Sequence, residues 1–167
     1  ANAIRVGNVQ ETLNVLSSRD PQLTWINPSD NTEEIGELLE LIVSHARKLG
    51  SLAGDGEFTL AVQTCREVQV LCALRKGQFG VAGWNRIVEQ RLGMNAASQW
   101  YLGRPVLVSS NDRTTGLFNG DVGVVCANSD GSRVAAFSGT DEKFRFPVTR
   151  LPDVETVHAL TIHKSQG

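Results

Sequence analysis

The spacing of apolar residues changes character twice along the chain, and each change marks a different kind of element. Asn8 followed three residues later by Glu11 is a capping-box pattern, and Val9, Leu13 and Leu16 behind it recur at helical spacing, which predicts a short helix. Asp20, Pro21 and residues 25–30 read as a linker with a brief extended piece over 23–26. Over 33–49 the pattern sharpens: Ile35, Leu38, Leu39, Ile42, Val43, Ala46 and Leu49 share one face. Acidic residues occupy the first turn, Arg47 and Lys48 the last, and Gly50 follows as a stop. His45 falls on the opposite, water-facing side of that helix. Gly54, Asp55 and Gly56 make a turn, and 58–64 supplies one or two helical turns leading to Cys65.

Residues 68–74 (VQVLCAL) break the helical spacing with a continuous, β-branched apolar run of the length of a buried parallel strand. Arg75, Lys76 and Gly77 open a basic loop, and Val81, Trp84, Ile87, Val88 and Leu92 resume helical spacing as far as Gly93. In a strand, basic loop, helix arrangement the free loop amides and cations face a ligand at the sheet edge. A plain surface loop fits the same residues. From Gly103 the period drops to two: Val106 and Val108, Val122, Val124 and Cys126, Val134 and Ala136, then Phe144, Phe146 and Val148. Asn111-Asp112, Asn119-Gly120-Asp121, Asp130-Gly131 and Gly139-Thr140-Asp141 supply the turns. Four or five short strands in so little chain predict a small barrel. Beyond Leu151 and Pro152 the run 157–162 is a second apolar strand, expected beside 68–74 in one parallel sheet.

Composition adds little to this α/β picture, and charge adds more. With 41% hydrophobic and 20% charged residues the chain is expected to fold, and no apolar run approaches the ~20 residues that span a bilayer. With no signal-peptide pattern either, the expected location is cytoplasmic, without a membrane. Cys65, Cys72 and Cys126 are odd in number and lack C-x-x-C spacing, so core positions are expected rather than a disulfide framework or zinc site. The net charge of −2 conceals an asymmetry: nine acidic and four basic residues up to Glu57, nine and twelve after it. A contact with phosphates therefore belongs to the later part.

The closing residues Thr161, His163, Lys164, Ser165, Gln166 and Gly167 set a hydroxyl, an imidazole, an ammonium and a flexible backbone just past a strand end, donors suited to phosphate oxygens. The string VHALTIHKSQG resembles motif V of superfamily 1 DNA helicases, T-[IV]-H-K-[ST]-[QK]-G, and in particular that of the exodeoxyribonuclease V alpha-subunit (RecD) family. LCALRKGQFGVAGWN is similar to motif IVa of the same family, with Trp84 at a packing position where leucine is usual. GRPVLVSSND with GLFNGDVGVV looks like the SH3-like insertion that interrupts the second RecA-like domain there. The likeness extends over about 71–167.

The resemblance implies a C-terminal fragment of a helicase subunit. Residues 1–102 would be the helical and α/β part of the second RecA-like motor domain, 103–152 its SH3-like β-barrel insertion, and 153–167 the return strand with motif V. Single-stranded DNA would meet Thr161, His163, Lys164, Ser165 and Gln166, together with Arg75, Lys76 and Asn85 of motif IVa and Asn111 and Arg113 of the insertion. Arg104, Asp112, Asn119 and Arg133 are weaker candidates, and tight-turn geometry explains Asn119 on its own. Gly167 would lie on the nucleotide side. The parent would move 5′ to 3′ on DNA, using ATP and Mg²⁺, beside the other subunits of a RecBCD-type complex.

The chain by itself has no G-x-x-x-x-G-K-[ST] phosphate loop and no acidic pair after a strand, so the fragment alone is expected to bind no nucleotide and to be inactive as an ATPase. His158 and His163 fall on opposite sides of the expected strand, a poor metal set, and Ser165 has no identifiable acid and base partners. The alternative from another class is a non-catalytic module that binds nucleic acid or protein through a small β-barrel. A phosphate loop upstream in the parent separates the two.

Overall fold

The computed structural model describes residues 2–18, 20–27, 32–94, 99–138 and 144–166. The chain forms two compact units, Ala1–Leu39 and Glu40–Gly167. In the first, α1 (Asn2–Arg5) and α2 (Val9–Leu16) follow one another, and the side chain of Asn8 caps α2 by accepting from the Glu11 amide at 3.0 Å. That is the half of the capping box that satisfies an orphan donor of the first turn. Residues 23–26, expected to be extended, carry no strand.

Helix α3 (Thr32–Gly54) continues five residues past the stop expected at Leu49. Leu49 and Ala53 are buried together with Ala61 and Val62 of α4 (Phe58–Thr64), and that burial outweighs the ~1 kcal/mol helix cost of Gly50. The same packing corrects the reading of His45. Its ring is half-buried, with Nε2 2.8 Å from the Thr64 carbonyl oxygen, so an Nε2–H donor ties α3 to the end of α4.

The second unit is mixed α/β with two sheets. Strands β1 (Val70–Cys72) and β7 (Ala159–Thr161) pair in parallel, Val70 opposite Ala159 and Cys72 opposite Thr161, as expected from the two apolar runs. Both are shorter than those runs. Leu71 is 46% and Leu74 67% exposed, whereas Ala159 and Leu160, which alternate across the sheet, are both buried; α5 (Val81–Arg91) packs against both strands. The other sheet is antiparallel, in the order β5 (Arg145–Pro147), β4 (Arg133–Phe137), β3 (Val122–Ala127), β2 (Pro105–Val108), β6 (Val154–Thr156).

Among the described residues this sheet is open, which corrects the expected barrel: β5 and β6 are its two edges. Layers on both faces do the work of closure. Val124, Cys126 and Ala136 turn to α3 and α4, while Val125, Ala135 and Phe137 turn to a second core completed by Leu117, Trp100, Phe146 and Leu151. The run 157–162 is also not one strand. Val157 and His158 bend between β6 and β7, so the chain leaves one sheet and enters the other within two residues. Gly139, Thr140 and Asp141, expected in a turn, lie outside the described residues.

Candidate nucleic-acid interface

Parallel pairing of β1 with β7 brings the segments after both strands to the same sheet end. After β1 comes the basic loop of Arg75 and Lys76; after β7 a 3₁₀ turn, Ile162–Gln166. The stripe Ala82, Asn85, Arg86 and Glu89, at helical spacing on α5, forms one wall of a cleft of ≈440 Å³. Arg75, Glu155, Thr161 and Lys164 complete it. Three cations and two carboxylates therefore share one opening.

The loop between β1 and α5 differs from the expected phosphate cradle. The Val81 and Ala82 amides donate to the carbonyl oxygens of Leu74 and Arg75 at 3.0 and 3.1 Å, and the Gly80 amide to Gly77 at 3.2 Å. The first donors of α5 are thus used by the loop itself, which leaves side-chain cations as its contribution. The loop also folds back on α5 so closely that a Cβ on Gly83 would lie 2.3 Å from the Gln78 carbonyl oxygen. Arg75 and Lys76 are exposed, and the side chains of Arg75, Lys76 and Arg86 make no hydrogen bond or ion pair among the described residues.

At the other strand end the Lys164 ammonium meets the Glu155 carboxylate at 2.8 Å. The Lys164 amide donates to the Thr161 hydroxyl at 3.3 Å, and the Ser165 hydroxyl to the Ile162 carbonyl at 2.8 Å. His163 is exposed. The Gln166 side chain and Gly167 lie outside the described residues. Asn85 faces the protein more than the solvent: its amide nitrogen donates to the carbonyls of Thr156 at 3.1 Å and Ala159 at 3.3 Å, and its oxygen accepts from the Ala159 amide at 2.9 Å. One side chain thereby fixes the bend between β6 and β7.

The remaining candidates sit elsewhere. The Asn111 side-chain oxygen accepts from the Asn119 amide at 2.8 Å, and Asp112 from the Thr114 amide at 2.8 Å, so both shape the loop between β2 and β3. Hydrogen bonds within that loop hold the Asp112 carboxyl below its usual range, the Thr114 amide contributing most. Arg113 is exposed on the same loop. Arg104 is buried, donating to Thr156 at 3.0 Å and Gln99 at 2.6 Å with its guanidinium 4.9 Å from the Trp100 ring centroid. Arg133 donates to the Trp100 carbonyl. Sequence reasoning missed Arg86, Glu89 and Glu155; the polar stripe opposite Trp84 and Val88 on α5 was the available signal for the first two.

Behind the cleft, Tyr101, Glu89 and His158 make a half-buried chain. The Tyr101 hydroxyl lies 2.7 Å from His158 Nε2 and 3.3 Å from Glu89 Oε1. With Glu89 ionised, both contacts are hydrogen bonds when a neutral His158 donates from Nε2 and Tyr101 donates to Glu89. Burial, reinforced by His45 and Arg104, pushes the imidazole down to about 4 from 6.5. Between those values the unfolded chain binds a proton that the folded chain refuses, so stability falls as pH drops through this window. Complete, the loss amounts to about 3 kcal/mol. Urea unfolding of wild type and His158→Gln at several pH values should show the variant losing less on acidification; parallel curves would refute it.

Among the described residues no three His, Cys, Asp or Glu side chains converge as metal ligands would, and no helix is long and apolar enough to cross a membrane. Burial raises the Cys65 thiol to about 11 and Cys126 to about 12, which makes both poor nucleophiles.

No protein-family model matches the chain. It is 42% identical, over an alignment of 172 residues that covers the whole chain, to the RecBCD enzyme subunit RecD of Mycolicibacterium smegmatis, and 39% identical over 171 residues to that of Mycobacterium tuberculosis H37Rv. It is also 34% identical over 186 residues to that of Haemophilus influenzae, with 98% of the chain covered. The chain belongs to the RecD family. It spans 29% of the length of the two mycobacterial relatives and 28% of the third. Matching the RecD subunit across the whole chain extends the likeness beyond the motifs, into the acidic helices of the first 57 residues.

Proposed function

We propose that this RecD-family chain is part of the second motor domain of an ATP-dependent 5′ to 3′ DNA helicase subunit of the exodeoxyribonuclease V type, and that its cleft holds the backbone of single-stranded DNA. In this reading 1–102 and 153–167 belong to a RecA-like layer and 103–152 is the SH3-like insertion, with β6 at the start of 153–167 paired to the insertion's sheet and β7 to the parallel one. The observation that carries it is the parallel register of β1 and β7, which sets a loop with two free cations and a turn rich in donors at one sheet end. Two parallel strands do not stand alone in water, which supports further strands from the rest of the parent.

Arg75, Lys76, Thr161, His163, Lys164, Ser165 and Gln166 then contact phosphates, and Asn111 and Arg113 meet the strand where the insertion reaches it. Asn85 positions the strand end in place of touching DNA. Contacts of this kind read charge and spacing rather than bases, so binding is sequence-tolerant and weakens with salt. ATP and Mg²⁺ are held outside this chain, whose residues do not fit them: the sequence lacks the phosphate loop and its acid. The working partners are the other subunits of a RecBCD-type complex in the cytoplasm.

The test titrates labelled oligo-dT into the full-length protein that carries this chain. Lys164→Gln is expected to weaken binding by about three- to ten-fold at low salt and to reduce the slope of log K against log salt by about 0.7. Unchanged affinity and slope would remove Lys164, and with it the reading of the cleft.

A further inference from the structure

We infer that Glu155 latches the DNA-binding lysine: the carboxylate on β6 occupies the Lys164 ammonium when no strand is bound, and a phosphate must displace it. This rests on the proposed role of the cleft and adds a regulating residue from the neighbouring sheet.

The three cations of the cleft are not equivalent. Arg75 and Arg86 are without ion-pair partners among the described residues, whereas Lys164 is engaged at 2.8 Å. Its side chain is only 26% exposed while that of Glu155 is 56% exposed. The lysine is therefore the more covered partner and the carboxylate the more exposed one, both lining the cleft that an incoming phosphate would enter. Glu89, the second carboxylate of the cleft, is 3.3 Å from the Tyr101 hydroxyl and has a partner of its own. Glu155 alone is free to exchange.

The two partners come from different sheets. Glu155 lies opposite Leu107 in the antiparallel sheet, and Lys164 follows the strand paired with β1. Between them the chain turns at Val157 and His158, a bend fixed by Asn85. The ion pair thus closes a short loop across the junction, and releasing it frees the lysine without disturbing any backbone hydrogen bond. An exposed pair is weak and screened by salt, which suits a contact that a polyanion must displace.

The experiment measures oligo-dT affinity of the full-length protein without nucleotide, at low and high salt, for wild type, Glu155→Gln, Lys164→Gln and the double variant. Glu155→Gln is expected to bind about two- to five-fold more tightly at low salt, the gain fading at high salt and vanishing in the Lys164→Gln background. Glu155→Thr, which favours a strand, repeats the measurement should the glutamine variant fold poorly. If Lys164→Gln weakens binding while both Glu155 variants match wild type, the latch is overturned and the DNA site stands. A gain that persists in the Lys164→Gln background means simple repulsion of DNA and also overturns the latch. No effect of any variant overturns latch and site together.

Discussion

Gly103→Ala is expected to destabilise the second unit by about 3–5 kcal/mol, on the order of a 10 °C fall in Tm. Two independent costs meet at this position. The backbone has φ = +79°, in the left-handed region that a Cβ penalises by ~1–2 kcal/mol. A Cβ built there would also lie 2.5 Å from Gly50 Cα, 2.6 Å from Gly50 N and 3.1 Å from the Leu49 carbonyl carbon, all backbone of α3. A flexible side chain could swing away; a helix backbone cannot. The pair Gly50 and Gly103 therefore sets how closely the chain entering β2 approaches α3, and the Gly103 amide donates to Val125 at 2.8 Å from that position. Gly131→Ala is the control: φ is +80° but nothing lies within 4 Å of its Cβ, so only the strain remains, about 1–2 kcal/mol. Chemical denaturation of the two variants should separate them by at least 1 kcal/mol; equal losses would mean that the close approach to α3 is absent.

Why Gly50 misled sequence reasoning follows from the same geometry. Read locally, a glycine after Arg47, Lys48 and Leu49 is a helix stop. Its use is tertiary, as a place where another backbone comes near, and no periodicity encodes that. The parallel strands, four of the five strands of the second sheet and the cap at Asn8 were legible, because each depends on residues within a few positions of one another; β6 was not expected. The open edge of the five-stranded sheet was not: alternation predicts one buried face per strand and cannot say whether burial comes from closure or from covering layers. The strand break at Val157 and His158 was hidden for a similar reason, since the residue that holds it, Asn85, is more than 70 positions away.

The cleft was half legible. The donors of the closing residues and the cations of Arg75 and Lys76 could be named, and the strand pairing expected between their segments is present. Their counter-charges could not be foreseen, because Glu155 reaches Lys164 only through the bend. Exposed donors along a sequence are candidates for a ligand; which of them are already engaged is a property of the fold.

Asn85 is where fold and site depend on the same atoms, and Asn85→Ala is expected to cost about 2–4 kcal/mol. Truncation leaves the Ala159 amide without its acceptor and two carbonyls, of Thr156 and Ala159, without their donor, at a half-buried junction. Ala159 opens β7, so the strand that ends in Thr161 and leads to Lys164 loses its fixed relation to α5. Asn85→Asp makes the argument sharper. One carboxylate oxygen keeps the Ala159 amide, but the other now faces two carbonyl oxygens, a repulsion relieved only by protonation. The folded-state pKa of such an aspartate is raised, so the folded protein binds more protons than the unfolded chain and the penalty shrinks as pH falls toward 4. That sign is opposite to the trend set by His158, so the difference in unfolding free energy between Asn85→Asp and wild type should narrow on acidification while that for Asn85→Ala changes little. Urea midpoints at pH 7 and pH 5 decide the matter: a pH-independent gap for Asn85→Asp would mean that the amide nitrogen does not hold those carbonyls, and the positioning role assigned to Asn85 would fall with it.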